Sequence, residues 1–168
     1  MNAIRQTARA LHEEHRANLD LLAQVEKLLG RHATQALRLA ATPGSELMRL
    51  LAGLERQLRH DVERHFVFEE AELFTRMRDA GDGGIAALLG SEHDAIREVA
   101  ADLLPLTAAA AAGTLDDAGW AALARDALEL AERQVSHIQK EEMALLPMLS
   151  DLLDDDTDSQ LAMAYTSG

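Results

Sequence analysis

The chain is predicted to be all-α: four long helices in an up-down-up-down bundle. Apolar residues recur at threes and fours along four long stretches, the spacing of one buried helical face. Aromatics make up 3 % of the residues, Ala and Leu are abundant, and no strand-like alternation persists. Short breaks rich in Gly and Pro separate the stretches, so consecutive helices must run antiparallel. A length of 168 residues fits one domain with a real core. The reading places the bundle at residues 1–154 and a flexible acidic tail at residues 155–168.

The first helix is expected from about Ile4 to Leu29, with Ile4, Ala8, Leu11, His15, Leu19, Leu22, Val25 and Leu29 on its inner face. Thr42-Pro43-Gly44 then forces a turn, and Ser45 is a good N-cap for the second helix. That helix carries the stripe Leu47, Leu51, Leu54, Leu58, Val62, His65, Glu69, Leu73 and Met77, and Ala80 to Gly84 ends it. The third shows Ile85, Leu89, His93, Ile96, Ala100 and Leu103, with a kink expected at Pro105 and an alanine run up to Gly113. The fourth starts near Thr114 to Asp117 and runs through Trp120, Leu123, Ala127, Leu130, Gln134, His137, Glu141, Leu145, Met148 and Leu152, with Pro147 kinking it or starting a short last helix.

Composition removes several functions. A net charge of −13, from 16 basic and 29 acidic residues, repels phosphate backbones and speaks against nucleic-acid binding. Without cysteine there are no disulfides, iron–sulfur clusters or thiol nucleophiles. Residues Met1 to Ala10 are polar, unlike a signal peptide, and no apolar run is long enough for a bilayer. The expectation is a soluble, cytoplasmic protein with no membrane or nucleic-acid partner.

Chemistry enters where polar residues interrupt the stripes. His65-Phe66-Val67-Phe68-Glu69-Glu70 and His137-Ile138-Gln139-Lys140-Glu141-Glu142 each set a carboxylate four residues after a histidine, on one helical face. Glu14-His15 in the first helix echoes Glu92-His93 in the third, so a two-helix unit is used twice. Pseudo-twofold packing would bring His15, His65, Glu69, His93, His137 and Glu141 to one centre. A buried carboxylate is costly unless paired, and two divalent or trivalent cations would offset that penalty. Two histidines can serve each ion while Glu69 and Glu141 bridge the pair. This leaves each ion short of six ligands, so that a small molecule can enter. Imidazole with carboxylate suits iron and manganese, and also zinc, though zinc prefers four ligands and has no redox chemistry. His12, about 60° from His15 around its helix, is a candidate extra ligand. His32 and His60 lie off the stripes and read as surface residues. Singly, each core histidine or His-x-x-x-Glu pair would read as ordinary helix chemistry; repetition in register across both halves favours metal. The zinc-protease motif, the Glu-x-x-His di-iron motif and a phosphate loop are all missing.

The order His15, His65-x-x-x-Glu69, His93, His137-x-x-x-Glu141 resembles the hemerythrin-like family of HHE cation-binding domains, over roughly residues 8 to 153. The resemblance implies a four-helix bundle holding two non-haem iron ions, bridged by carboxylates and an oxo or hydroxo group. It implies a protein that binds, senses or reacts with dioxygen, nitric oxide or peroxide. Iron storage, iron delivery and repair of iron centres are the alternatives within the family; a metal-free helical interaction module is the alternative outside it. Binding is favoured over catalysis, with weak peroxidase-like activity as a minor expectation. Dioxygen carriers of the family have a further histidine one turn along the third helix, where this chain has Leu89 and Arg97. They also place the last carboxylate five residues after its histidine, at the position of Glu142 here, so Glu141 and Glu142 compete for that role.

Overall fold

Each predicted stripe forms a helix in the computed structural model, which describes residues 5–167. Ile4, placed first on the opening stripe, lies outside the described residues. Helix α1 is Gln6–Leu29 and is followed by a short helix α2, Thr34–Ala40. Helix α3 covers residues 46–79 and α4 is Gly83–Ala111; α5 covers residues 117–152 and α6 is Asp155–Ser167. The bundle is α1, α3, α4 and α5, and no strand occurs among the described residues. No helix among those residues is long and apolar enough to cross a membrane.

Local chemistry sets the boundaries. The Ser45 hydroxyl accepts the Met48 N–H at 3.2 Å, and the Asp116 carboxylate accepts the Gly119 N–H at 2.7 Å, capping α3 and α5. Gly81, with φ of +100°, closes α3; beyond it the Asp82 N–H returns to the Met77 carbonyl at 2.9 Å. Pro105 lies inside α4, which carries the alanine run as helix to Ala111.

Three turns depart from α geometry. The N–H groups of Phe66, Phe74 and Leu146 bond five residues back, to the carbonyls of Asp61, Glu69 and Glu141. A four-residue step in an α-helix overshoots a full turn by about 40°, so Asp61, His65, Glu69 and Leu73 would drift by about 120° around α3. The wider turns absorb part of that drift, and all four residues are buried. The α3 stripe therefore passes through Asp61 rather than Val62; in α1, regular throughout, Asn18 is buried rather than Leu19, each predicted neighbour being only partly buried.

Two apolar clusters fill the bundle. One contains Leu22, Val25, Leu51, Leu54, Leu58, Ile96, Trp120, Leu123 and Leu130. The other contains Leu11, Leu73, Phe74, Met77, Leu89, Leu145 and Leu149. Each long helix passes from one to the other through a polar layer. His15 and Asn18 separate Leu11 from Leu22, and His93 separates Leu89 from Ile96. Asp61, His65 and Glu69 lie between Leu58 and Leu73, as Gln134, His137 and Glu141 do between Leu130 and Leu145.

Where a tail was expected after Asp154, α6 runs beside α1 in the same direction. Buried Asp158 is the anchor: its two carboxylate oxygens accept the N–H groups of Gln6 and Thr7, at 2.8 and 3.0 Å. It thus caps α1 from far along the chain, and a carboxylate suits a helix N-terminus. Arg5 pairs with Asp155 beside it. At the other end of α6, buried Tyr165 packs its ring 4.5 Å from that of Phe68.

Candidate metal centre

The four bundle helices bring His15, His65, Glu69, His93, His137 and Glu141 into the polar layer. All are buried, with Glu69, His93 and Glu141 at 0 % exposure. They form two groups of four that share both carboxylates: His15, His65, Glu69 and Glu141, and Glu69, His93, His137 and Glu141. In each group the candidate ligand atoms lie within 4.8 Å of one another.

The two carboxylates lie crosswise between the groups. Glu69 turns Oε1 to His65 Nε2 at 3.2 Å and Oε2 to His93 Nε2 at 3.3 Å. Glu141 turns Oε2 to His15 Nε2 at 3.2 Å and Oε1 to His137 Nε2 at 3.0 Å. Despite these distances, none of the four oxygens makes an aligned hydrogen bond, and neither does His15 Nε2. Buried polar atoms left in that state are expensive.

Behind each imidazole stands another carboxylate. Nδ1 donates to Glu142 from His15 at 2.7 Å and to Glu14 from His65 at 2.9 Å. Nδ1 of His93 donates to Glu70 at 2.8 Å, and Nδ1 of His137 to Glu92 at 3.0 Å. An ionised carboxylate only accepts, so the proton of each neutral ring is on Nδ1 and Nε2 presents its lone pair to the centre. Nε2 of His93 and Nε2 of His137 then face each other 3.0 Å apart. With both rings neutral that contact would set two lone pairs together, and either a proton on one ring or a metal ion between or beside them relieves it. Imidazoles backed by carboxylates are the usual support of metal-binding histidines. The donor set fits two cations.

The remaining walls are specific too. His93 is stacked on Phe66, centroids 3.8 Å apart, and lies 5.2 Å from Phe74. Tyr165 donates its hydroxyl to Glu14 and places the oxygen 2.8 Å from His65 Nδ1. Asp61 accepts amide hydrogens from Asn18 and Gln134, each at 2.9 Å, and from Gln57 at 2.8 Å. Burial pushes its carboxyl pKa up. Between Asp61, His15, His65, His137 and Glu141 lies a cavity of about 10 Å³, enough for about one water-sized molecule.

The structure separates the residues that the sequence left in competition. Glu142 is on the far side of His15 from the centre, while Glu141 points inward. His12 belongs to neither group of four; half-exposed, it bonds to Glu142 at 2.9 Å. His32 is exposed, as expected, whereas His60 is only partly so and reaches Glu14 at 3.3 Å. Sequence reasoning missed Glu14, Glu70, Glu92 and Glu142 as partners of the histidines. Their signal was present, since each directly precedes or follows a core polar residue in both halves.

The metal-free site has its own pH signature. Burial alone would lower the His93 pKa, but Glu141 and Glu69 outweigh it and raise it to about 9. A histidine raised on folding contributes stability that is complete below its unfolded pKa of about 6.5 and is lost as pH rises through the folded value. His15 and His65 shift in the same direction. The chelated protein should therefore melt at a lower temperature at pH 9 than at pH 6.5. A melting temperature that rises across this window would contradict the geometry of the carboxylates around His93.

A helical bundle with paired histidine–carboxylate groups buried at mid-height is a cation-binding domain in class. The chain belongs to the hemerythrin HHE cation-binding domain family, whose model matches residues 6–149. The match takes in every residue of the two groups of four and stops before α6. No curated protein matches the chain.

Proposed function

We propose that the protein holds two iron ions and uses them to bind, sense or react with dioxygen, nitric oxide or peroxide. The observation that carries this reading is the sharing of Glu69 and Glu141 between two four-residue groups, one oxygen of each carboxylate turned to each group. His15 and His65 would hold one ion and His93 and His137 the other. Two imidazoles and two carboxylate oxygens leave an iron ion that prefers six ligands with open positions, whereas they would satisfy tetrahedral zinc. When bound, iron supplies redox chemistry and affinity for diatomic ligands. The chain's own residues fix the imidazoles, exclude bulk water and leave the small cavity beside His15 and His137. A chain without cysteine suits a reducing compartment such as the cytoplasm.

Storage, delivery and repair of iron centres would use the same ligands, but they call for ions that leave readily. Four buried histidines, each fixed by its own carboxylate, favour retention. The metal-free interaction module conflicts with the orphaned oxygens of Glu69 and Glu141.

Anaerobic loading with ferrous iron, followed by nitric oxide, tests the proposal. Two irons per chain and a new visible absorption band on adding the gas are expected. Fewer than one iron per chain would refute the metal reading, and two irons without response to any of the three small molecules would favour storage. The carboxylate behind His15 supplies a graded test. Glu142→Gln should weaken ion binding about 10–100-fold in competition with a chelator, with stoichiometry kept at saturation. Complete loss of one ion would instead make Glu142 a ligand.

A further inference from the structure

The two ends of the centre differ in what lies behind the carboxylates. Glu70, behind His93, is held by Arg97 through contacts of 2.8 and 3.1 Å, and Glu92, behind His137, by Lys140 at 2.6 Å. Those carboxylates are already neutralised by permanent cations, which also repel an arriving metal ion. Behind His15 and His65 the partners are imidazoles: His12 on Glu142 and His60 on Glu14. Neutral imidazole is itself a metal ligand.

Glu14, His60 and His65 form a third group whose candidate ligand atoms lie within 4.8 Å of one another. The side chains of His60 and Glu14 are about equally exposed, at 31 % and 32 %, and that of His65 is 5 % exposed. His60, His65 and Tyr165 all bond to Glu14 Oε2, while Oε1 has no hydrogen-bond partner among the described residues. Glu14 lines the small cavity at the centre together with His15, His65 and Glu141.

We infer that divalent cations load the centre from the His15–His65 end, pausing at an outer staging site made by His60 and Glu14 before passing His65. The inference rests on the two-ion reading. His60 offers the outermost nitrogen and Glu14 an oxygen on the same side; the net charge of −13 draws cations toward the surface. His65 stands between the two groups, its Nδ1–H on Glu14 and its Nε2 turned to the centre, and so marks the boundary between the outer site and the centre.

The test is uptake of cobalt(II) by the metal-free full chain, followed by stopped-flow absorbance, in wild type, His60→Ala, His60→Gln and the exposed control His32→Ala. Both His60 variants should load at least fivefold more slowly, yet reach the wild-type two ions at equilibrium, and His32→Ala should match wild type. Loading of the His60 variants at the wild-type rate would overturn the staging site. So would an equilibrium below two ions in those variants, because His60 would then be part of the centre. If wild type itself bound no cobalt at equilibrium, the two-ion reading would fail instead, a distinct result.

Discussion

Glu69→Ala is expected to abolish the response of the protein's melting temperature to metal. Glu69 is fully buried and offers one oxygen to each half of the centre, so its loss weakens both ions together. An ion present at a hundredfold excess over its Kd stabilises the folded state by about 2.7 kcal/mol, and two ions by roughly twice that. For a domain of this length, wild type should then melt roughly 15 °C higher with iron than after chelation. The variant should melt at the same temperature in both conditions and carry fewer than one iron per chain. Its helix content should be kept, because the two apolar clusters on either side of the polar layer are untouched. A variant that still gains stability on iron addition would show that the ions bind elsewhere.

Removal of residues 154–168 should have the second largest effect, on stability rather than on metal content. The deletion strips the N-terminus of α1 of its Asp158 cap and exposes the apolar surface that Tyr165 covers. A lost cap costs about 1 kcal/mol and a large buried side chain about 1.5–3 kcal/mol, so a loss of about 2.5–4 kcal/mol is expected. This corresponds to roughly 10 °C in melting temperature. Iron stoichiometry at saturation should stay at two, because every residue of the two groups of four precedes the deletion. Unchanged melting would mean that α6 does not hold α1 in solution; loss of both ions would mean that Tyr165 matters to more than the orientation of His65 and Glu14.

The fold and the six inward polar residues were legible because a buried helical face leaves a simple trace. Leu58, His65, Glu69 and Leu73 are spaced for one face, and a polar residue there demands an explanation. Repetition of the pattern around His137 and Glu141 supplied it. The carboxylates behind the histidines were harder to read. Glu14, Glu70, Glu92 and Glu142 lie one residue off the stripe, where any helix of an acidic protein carries glutamate. Only the geometry shows that Glu14 serves His65, on a different helix, and that Glu142 serves His15. Asn18 and Asp61 escaped for a related reason: apolar neighbours, Leu19 and Val62, fit the expected spacing better until the wide turns and the actual helix rotations are known. The last helix was least legible of all. Asp155, Asp156 and Asp158 in a row resemble a solvated end, and nothing local reveals that Asp158 caps a helix starting about 150 residues earlier.

Crystals of the iron-loaded protein, measured on either side of the iron absorption edge, address the central claim most directly. Two anomalous peaks should appear in the polar layer, one beside Nε2 of His15 and His65, the other beside Nε2 of His93 and His137, with Glu69 and Glu141 spanning both. Peaks confined to the protein surface, or a polar layer with water alone between those side chains, would contradict the account.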